Sequence, residues 1–412
     1  MLTFIKKISK IYPIQVADSP NKPHSDNYAE QLLGYAKSFD LSSDDFKYNY
    51  EIVSANNQDS INSINWFIPK VEHILYGGVY TILRFAEYFQ GKKNIKNRLI
   101  FVGNGSSIEN IKKKIILEFP LLVDADYFDY DNLGIEKIPF CDATISTFWT
   151  TCFISAKFNK TKKKFYFIQD YEPLFYAAGT VNSVFAELTY RLGFRGIVNT
   201  PGLADFVKKE HGIECQFFYP CVNHSFYSIS KKQIEIKSQK KETNIVFYGR
   251  PNKNRNAFEI GLLSLLEVKE KYGDMVNIYS VGDDWNENNY GVAGMITNLG
   301  RLKSIKEVSE LYQNSDIGLV MMFSKHPSYQ PFEYMACGCS VVTNKNNANE
   351  WFLKNGENCL VSESTPSCIA KNISLLIEDR ALRKKIVENG IKEVGKRHWD
   401  DECDKIFEYL NN

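Results

Sequence analysis

Short β-branched runs alternating with helix-period segments from Ile245 onward constrain this chain more than any other feature. Strand-like runs stand at 245–249 (IVFYG), 276–282, 296–300, 317–323, 340–343 and 359–361. Helix-period segments lie between them at 257–271, 304–314, 331–337 and 366–379. Apolar runs of this length without polar alternation suit strands covered on both faces. Joined by helices, they predict a parallel, doubly wound α/β sheet. Ser304, with Glu307 three residues on, predicts a capping box at one helix start.

A second alternating unit fills the N-terminal half. Its strands are expected at 98–102, 143–147, 165–169, 196–199 and 216–219, and its helices at 79–89, 107–118, 182–192 and 202–210. The Lys-rich stretch 230–243 reads as a solvated linker between the halves. One or two further helices close the chain between about Ala381 and Tyr409. Ligands of open α/β sheets bind outside the carboxyl ends of the strands, so two facing sheets predict a shared cleft.

Charge and cysteine usage exclude several classes. Net charge is +1, so nothing in bulk electrostatics favours nucleic acid. Nine cysteines are scattered without a CxxC, which indicates buried thiols rather than disulfides or a zinc site. His326 has no second His or carboxylate at ligand spacing, and no metal or cofactor is expected. The first residues, MLTFIKKISKIYPIQV, lack the apolar core of a signal peptide, and no run reaches membrane-span length. A cytoplasmic protein is expected. Leu2, Ile5, Ile8 and Ile11 fall at helical spacing with lysines between them. They suit an N-terminal helix packed on the body or, alternatively, one lying at a membrane surface.

The segment 314–344, NSDIGLVMMFSKHPSYQPFEYMACGCSVVTN, carries the chemistry. An apolar strand leads into a polar loop, then a short helix with Pro331 in its first turn. Pro is favoured there because the missing N–H is one the helix leaves unpaired. Free N–H groups and the dipole at such a helix start favour anions. Glu333 lies in that turn, placed to accept hydrogen bonds from hydroxyls. The segment resembles the nucleotide-sugar signature of retaining GT-B glycosyltransferases, Glu, seven residues, then Glu-x-x-Ala-x-Gly. Its second half is present as Glu333, Ala336 and Gly338, whereas Lys325 stands where the first Glu would be. The form HPSYQPFEYMACG is most similar to bacterial rhamnosyltransferases of rhamnan and S-layer glycan assembly, and INWFIPKVEHILYGG resembles the same subgroup.

The resemblance implies two Rossmann-like domains facing a cleft: 1–228 for the acceptor, 229–390 for the nucleotide sugar, and 391–412 as a helix crossing back. It implies transfer of L-rhamnose from dTDP-L-rhamnose, with retention, to a surface polysaccharide or lipid-linked glycan. A UDP-hexose or GDP-mannose donor, or a non-catalytic scaffold, remains the alternative. Arg250, in YGRPNKNRN, matches the Arg that grips the donor diphosphate, and Lys253 or Arg255 the Lys beside it. Lys303 is a second phosphate candidate. Tyr329 and Gln330 are placed to contact phosphate or sugar through their N–H groups, and Glu333 to bind pentose hydroxyls. Gly77 and Gly78 precede a helix and let backbone approach a phosphate closely. Asp170 and Glu172 end a strand and suit an acceptor hydroxyl, whose proton either carboxylate could take. Lys325 suits a sugar unlike glucose or a reinforced phosphate site.

Overall fold

The computed structural model describes residues 26–55, 59–71 and 77–412. The described residues 26–40, mostly the helix Asp26–Ser38, belong to a unit of their own. The helix expected within the first eleven residues lies outside the described residues. Everything from Leu41 onward belongs to one larger unit.

That unit contains two wholly parallel sheets. The first is built from β1 (Ser63–Pro69), β2 (Lys96–Val102), β3 (Asp126–Asp129), β4 (Cys141–Ser146), β5 (Thr161–Ile168), β6 (Arg195–Asn199) and β7 (Cys215–Phe218), in the order β3-β2-β1-β4-β5-β6-β7. The second is built from β8 (Thr243–Gly249), β9 (Val276–Gly282), β10 (Thr297–Asn298), β11 (Ile317–Leu319), β12 (Ser340–Asn344) and β13 (Cys359–Ser362), in the order β10-β9-β8-β11-β12-β13. Strand order reverses between β1 and β4 and again between β8 and β11. Each sheet therefore has a switch point at which ligands characteristically bind.

The inner strands are apolar and buried because helices cover both faces. Trp66, Phe85, Phe89 and Phe167 anchor the first core, and Cys403, Ile406 and Leu410 of the final helix Trp399–Asn411 complete it. The ammonium of Lys163 fixes that helix end, donating to the carbonyls of Leu410 and Asn411 at 3.0 Å each. None of the nine cysteines is paired, and all but Cys215 and Cys368 are buried. Among the described residues no helix is long and apolar enough to cross a membrane.

The linker expected at 230–243 contains a helix, Lys231–Gln239, capped by Ser230 and Gln233, and most of that helix is exposed as a solvated linker requires, with one exception. Lys237 is buried and donates to the Gly338 carbonyl at 2.9 Å. Its charge caps the end of the following domain's short helix rather than facing water.

Candidate functional site

The chain leaves β8 through Arg250, Lys253 and Arg255 before the helix Phe258–Tyr272. Gly282 ends β9 with φ 124°, and a Cβ there would stand 2.8 Å from Arg250 Cγ, so glycine makes room for the arginine. The next residue, Asp283, is buried and ties the group together. Its Oδ1 accepts from Arg301 Nη2 at 2.8 Å and Nε at 3.2 Å, and its Oδ2 lies 3.7 Å from Arg250 Nε. Arg250 also donates to the Tyr248 hydroxyl at 2.9 Å. Partial burial lowers the Lys253 pKa, and the charges of Arg250, Arg255 and Arg301 lower it further against the pull of Asp283. Cations that outnumber their carboxylate create a field that favours an anion.

Lys303 is exposed, and its backbone N–H donates to the Glu307 carboxylate at 3.0 Å. The capping box expected from Ser304 is thus displaced by one residue, and Arg301 is the cation from this strand end that reaches Asp283.

β11 ends at Leu319, earlier than expected; Val320 N–H still donates to the Val342 carbonyl of β12 at 3.1 Å, but later amides find other partners. Met322 N–H donates to Asn344 Oδ1 at 2.8 Å and Phe323 N–H to the Arg255 carbonyl at 2.8 Å. The loop then runs to the helix Gln330–Ala336, with Pro331 in its first turn. Ser328, at φ 68°, donates its N–H to His326 Nδ1 at 2.9 Å and its hydroxyl bonds to Gln330. Burial raises the Glu333 pKa to about 7, opposed by a hydrogen bond from Tyr227. Tyr329 reaches the first domain, its hydroxyl 2.8 Å from Thr81 Oγ1 and accepting from Asn199 Nδ2 at 3.2 Å.

On the first domain, Gly77 adopts φ 66° with ψ −138°, a conformation open mainly to glycine, and starts the helix Gly78–Lys93. A Cβ on Gly78 would lie 2.6 Å from Gln169 Nε2, which donates to the Gly78 carbonyl at 3.0 Å. The close approach Gly78 permits is therefore to the end of β5. Asp170 follows there. Its Oδ2 accepts from Ser324 Oγ at 2.7 Å, and its Oδ1 from the N–H groups of Tyr171 at 2.8 Å and Lys325 at 3.2 Å. Burial lifts its pKa to about 6, with Arg255 opposing. Arg255 lies 4.2 Å from the Phe175 ring centroid and Lys325 Nζ 4.9 Å from that of Phe206, so both cations cross the seam onto aromatic faces.

Glu172 requires a correction. It is 3 % exposed, and its Oε2 accepts the Trp149 N–H at 2.6 Å at the start of the helix Trp149–Lys157. Burial raises its pKa to about 8. It is a core carboxyl, protonated at neutral pH, and not an acceptor-side base. Asp170, Gly78, Lys325 and Tyr329 do come together at the seam, with Arg250 and Lys253 on the strand ends of the second sheet. Sequence reasoning missed Asp283, Asn199, Thr81 and Tyr227. Only Asp283 carried a visible signal, a carboxylate directly after the glycine that ends a strand. Among the described residues no group of three or more His, Cys, Asp or Glu side chains is placed to hold a metal ion.

Two doubly wound parallel domains with their strand ends turned to a common seam define the GT-B fold. Residues 243–374 match the family model described as WsaF, C-terminal domain. The chain is 36% identical over 353 residues to the O-antigen biosynthesis protein RfbC of Myxococcus xanthus, covering 85% of the chain and 27% of that protein. It thus spans about a quarter of that relative's length. Among solved structures it is similar to Anabaena Alr3699/HepE in complex with UDP (TM-score 0.64, 16% identity, 84% of this chain and 99% of that one). It is also similar to TarM (TM-score 0.66, 8% identity, 86% and 100%). At these identities the structural matches establish the fold.

Proposed function

We propose that the chain is a glycosyltransferase that moves a sugar from a nucleotide sugar to a growing surface glycan. L-Rhamnose from dTDP-L-rhamnose is the donor we favour, because the loop 325–338 resembles rhamnosyltransferases. The observation that carries the reading is the cation set around Asp283, at the carboxyl ends of β8 and β9. A nucleotide sugar presents a diphosphate, which gains negative charge as its bond to the anomeric carbon breaks. Fixed cations stabilise that charge where it develops. In a retaining transfer the anomeric C–O bond to phosphate breaks and a bond to the acceptor oxygen forms on the same face. The acceptor proton passes to the departing phosphate oxygen. Arg250 and Lys253 hold the diphosphate, Glu333 accepts from the pentose, and Lys325 adds a cation on the sugar side. The backbone N–H groups of Tyr329 and Gln330 complete the donor side. Asp170, once its bonds to Ser324 and Lys325 part, has a carboxylate free for an acceptor hydroxyl. A polysaccharide or lipid-linked glycan at the inner face of the cell membrane is the acceptor this reading requires.

Calorimetry with dTDP, UDP and GDP tests it. Tightest binding of dTDP supports the rhamnose donor, and tightest binding of UDP or GDP replaces it with a UDP-hexose or GDP-mannose. Arg250→Ala should weaken the preferred nucleotide by ~1.5–3 kcal/mol, the worth of a charge-assisted contact. Binding of none of the three sinks the proposal. Lys325 in place of a carboxylate favours one further reading, a nucleotide-sugar-binding scaffold, which would bind the donor without consuming it.

A further inference from the structure

His326 stands in the loop ahead of the helix Gln330–Ala336, almost wholly buried. Because its Nδ1 accepts the Ser328 N–H, a hydrogen on Nδ1 would oppose that bond. The ring is therefore the neutral tautomer with its hydrogen on Nε2. Burial, with Arg255 nearby, depresses its pKa to about 3, in agreement with that geometry. Nε2–H is then a buried donor without an acceptor among the described residues. An unmet buried donor costs ~1–3 kcal/mol, and such groups are few in native proteins.

The group is not isolated. Gln169 Oε1, Asn199 Oδ1 and Arg255 Nε are also buried and without a hydrogen-bond partner among the described residues. All three belong to the same seam. Asn199 spends its amide N–H on Tyr329, whose ring centroid lies 5.8 Å from that of His326. Gln169 spends its own on Gly78, beside Asp170. Leftover acceptors and leftover donors along one seam complement hydroxyl groups, each of which gives one hydrogen and receives another. A bare diphosphate has only acceptors and would leave both amide oxygens unmet.

We infer that His326 is a specificity-determining residue whose Nε2–H donates to an oxygen of the donor's sugar, while Asn199 and Gln169 accept from its neighbouring hydroxyls. This rests on the glycosyltransferase reading and deepens it by naming the groups that recognise the sugar rather than the nucleotide. Asp170 on Ser324, and Thr81 and Asn199 on Tyr329, hold the seam closed.

Two replacements separate sugar recognition from loop shaping. His326→Asn keeps an acceptor near the Nδ1 position for Ser328 and removes the Nε2 donor, and His326→Gln does the reverse. The acceptor-independent readout is release of free nucleotide from dTDP-L-rhamnose, UDP-glucose or GDP-mannose by water. Affinities for dTDP, UDP and GDP are measured alongside. His326→Asn should lose at least tenfold in kcat/KM on the preferred nucleotide sugar, with nucleotide affinity within twofold of wild type, and His326→Gln should recover most of the loss. The opposite ranking, or equal losses in nucleotide affinity and turnover, overturns the inference and leaves His326 a loop-shaping residue. Wild-type protein that binds no nucleotide overturns the glycosyltransferase reading itself, and this inference with it.

Discussion

Replacing Glu172 by Gln measures whether that carboxyl belongs to the core or to the chemistry. The side chain is 3 % exposed, and its folded pKa of about 8 stands well above the ordinary 4.5, burial being the main cause. The folded state therefore holds a proton that the unfolded chain releases above about pH 4.5. Where the native state binds more protons, stability falls as pH rises. Between about pH 5 and 8 the wild type should lose roughly 3 kcal/mol through this one group, close to 1 kcal/mol per pH unit. The amide of Glu172→Gln mimics the protonated acid and keeps an oxygen for the Trp149 N–H. Other titrating groups are common to both proteins, so the difference between them isolates Glu172. Urea midpoints at pH 5, 6, 7 and 8 should diverge steadily, the variant gaining on the wild type as pH rises. A difference that stays constant across that range would refute a protonated core carboxyl and return Glu172 to the candidates for proton transfer.

Two further perturbations address the seam. Asp170→Asn and Ser324→Ala, singly and together, should show a coupling of ~1–2 kcal/mol in stability, because the two side chains share one charge-assisted bond at 2.7 Å. Asp170→Asn alone should also depress donor turnover at least tenfold with nucleotide affinity intact, and additive stabilities with full turnover would dismiss both statements. Gly202→Ala acts as a wedge, since a Cβ there would overlap the Ala348 carbonyl oxygen. Small-angle scattering should register a more open particle and turnover should fall, while nucleotide affinity stays within threefold. Unchanged scattering and turnover would show that the backbone near Ala348 yields instead.

The doubly wound fold was legible because most inner strands are uninterrupted apolar runs, a pattern set by burial on both faces. β1 lacks that pattern although it lies at the switch point of its sheet. Its run SINWFIP carries Asn65 in the middle and Pro69 at the end, both poor strand signals. Asn65 is tolerated because its amide donates to the Pro139 carbonyl at 2.9 Å, a contact seventy-four residues away that no local pattern announces. β3, Asp126–Asp129, is hidden for a simpler reason: Tyr127 and Phe128 favour a strand, but four residues with an aspartate at each end are too short to show a period. Lys237 misled in the opposite direction, since a lysine reads as solvated until carbonyl partners from a distant helix end are known. The site shows the same division. Arg250 was visible from its place after a strand, whereas Asn199 and Thr81 became functional candidates only once Tyr329 was seen bonding to both.

Two sources of attraction for a diphosphate were expected, and the structure lets them be ranked. The helix that begins at Gln330 has only seven residues, and the dipole at such a terminus contributes ~0.3–1 kcal/mol at best. Each charge-assisted contact from the cluster contributes ~1.5–3 kcal/mol. Arg250 and Arg301 converge on one buried carboxylate, with Lys253 held in the same positive field. Nucleotide affinity should therefore follow the cation set far more than the loop amides. The first domain contributes Asn199, Gln169 and Thr81 at the seam and, through Thr81 and Asn199, holds the second domain's loop that carries His326 and Tyr329. On the proposed reading a bare nucleotide would need mainly the second domain's cations, whereas a nucleotide sugar would need hydrogen-bonding groups from both domains.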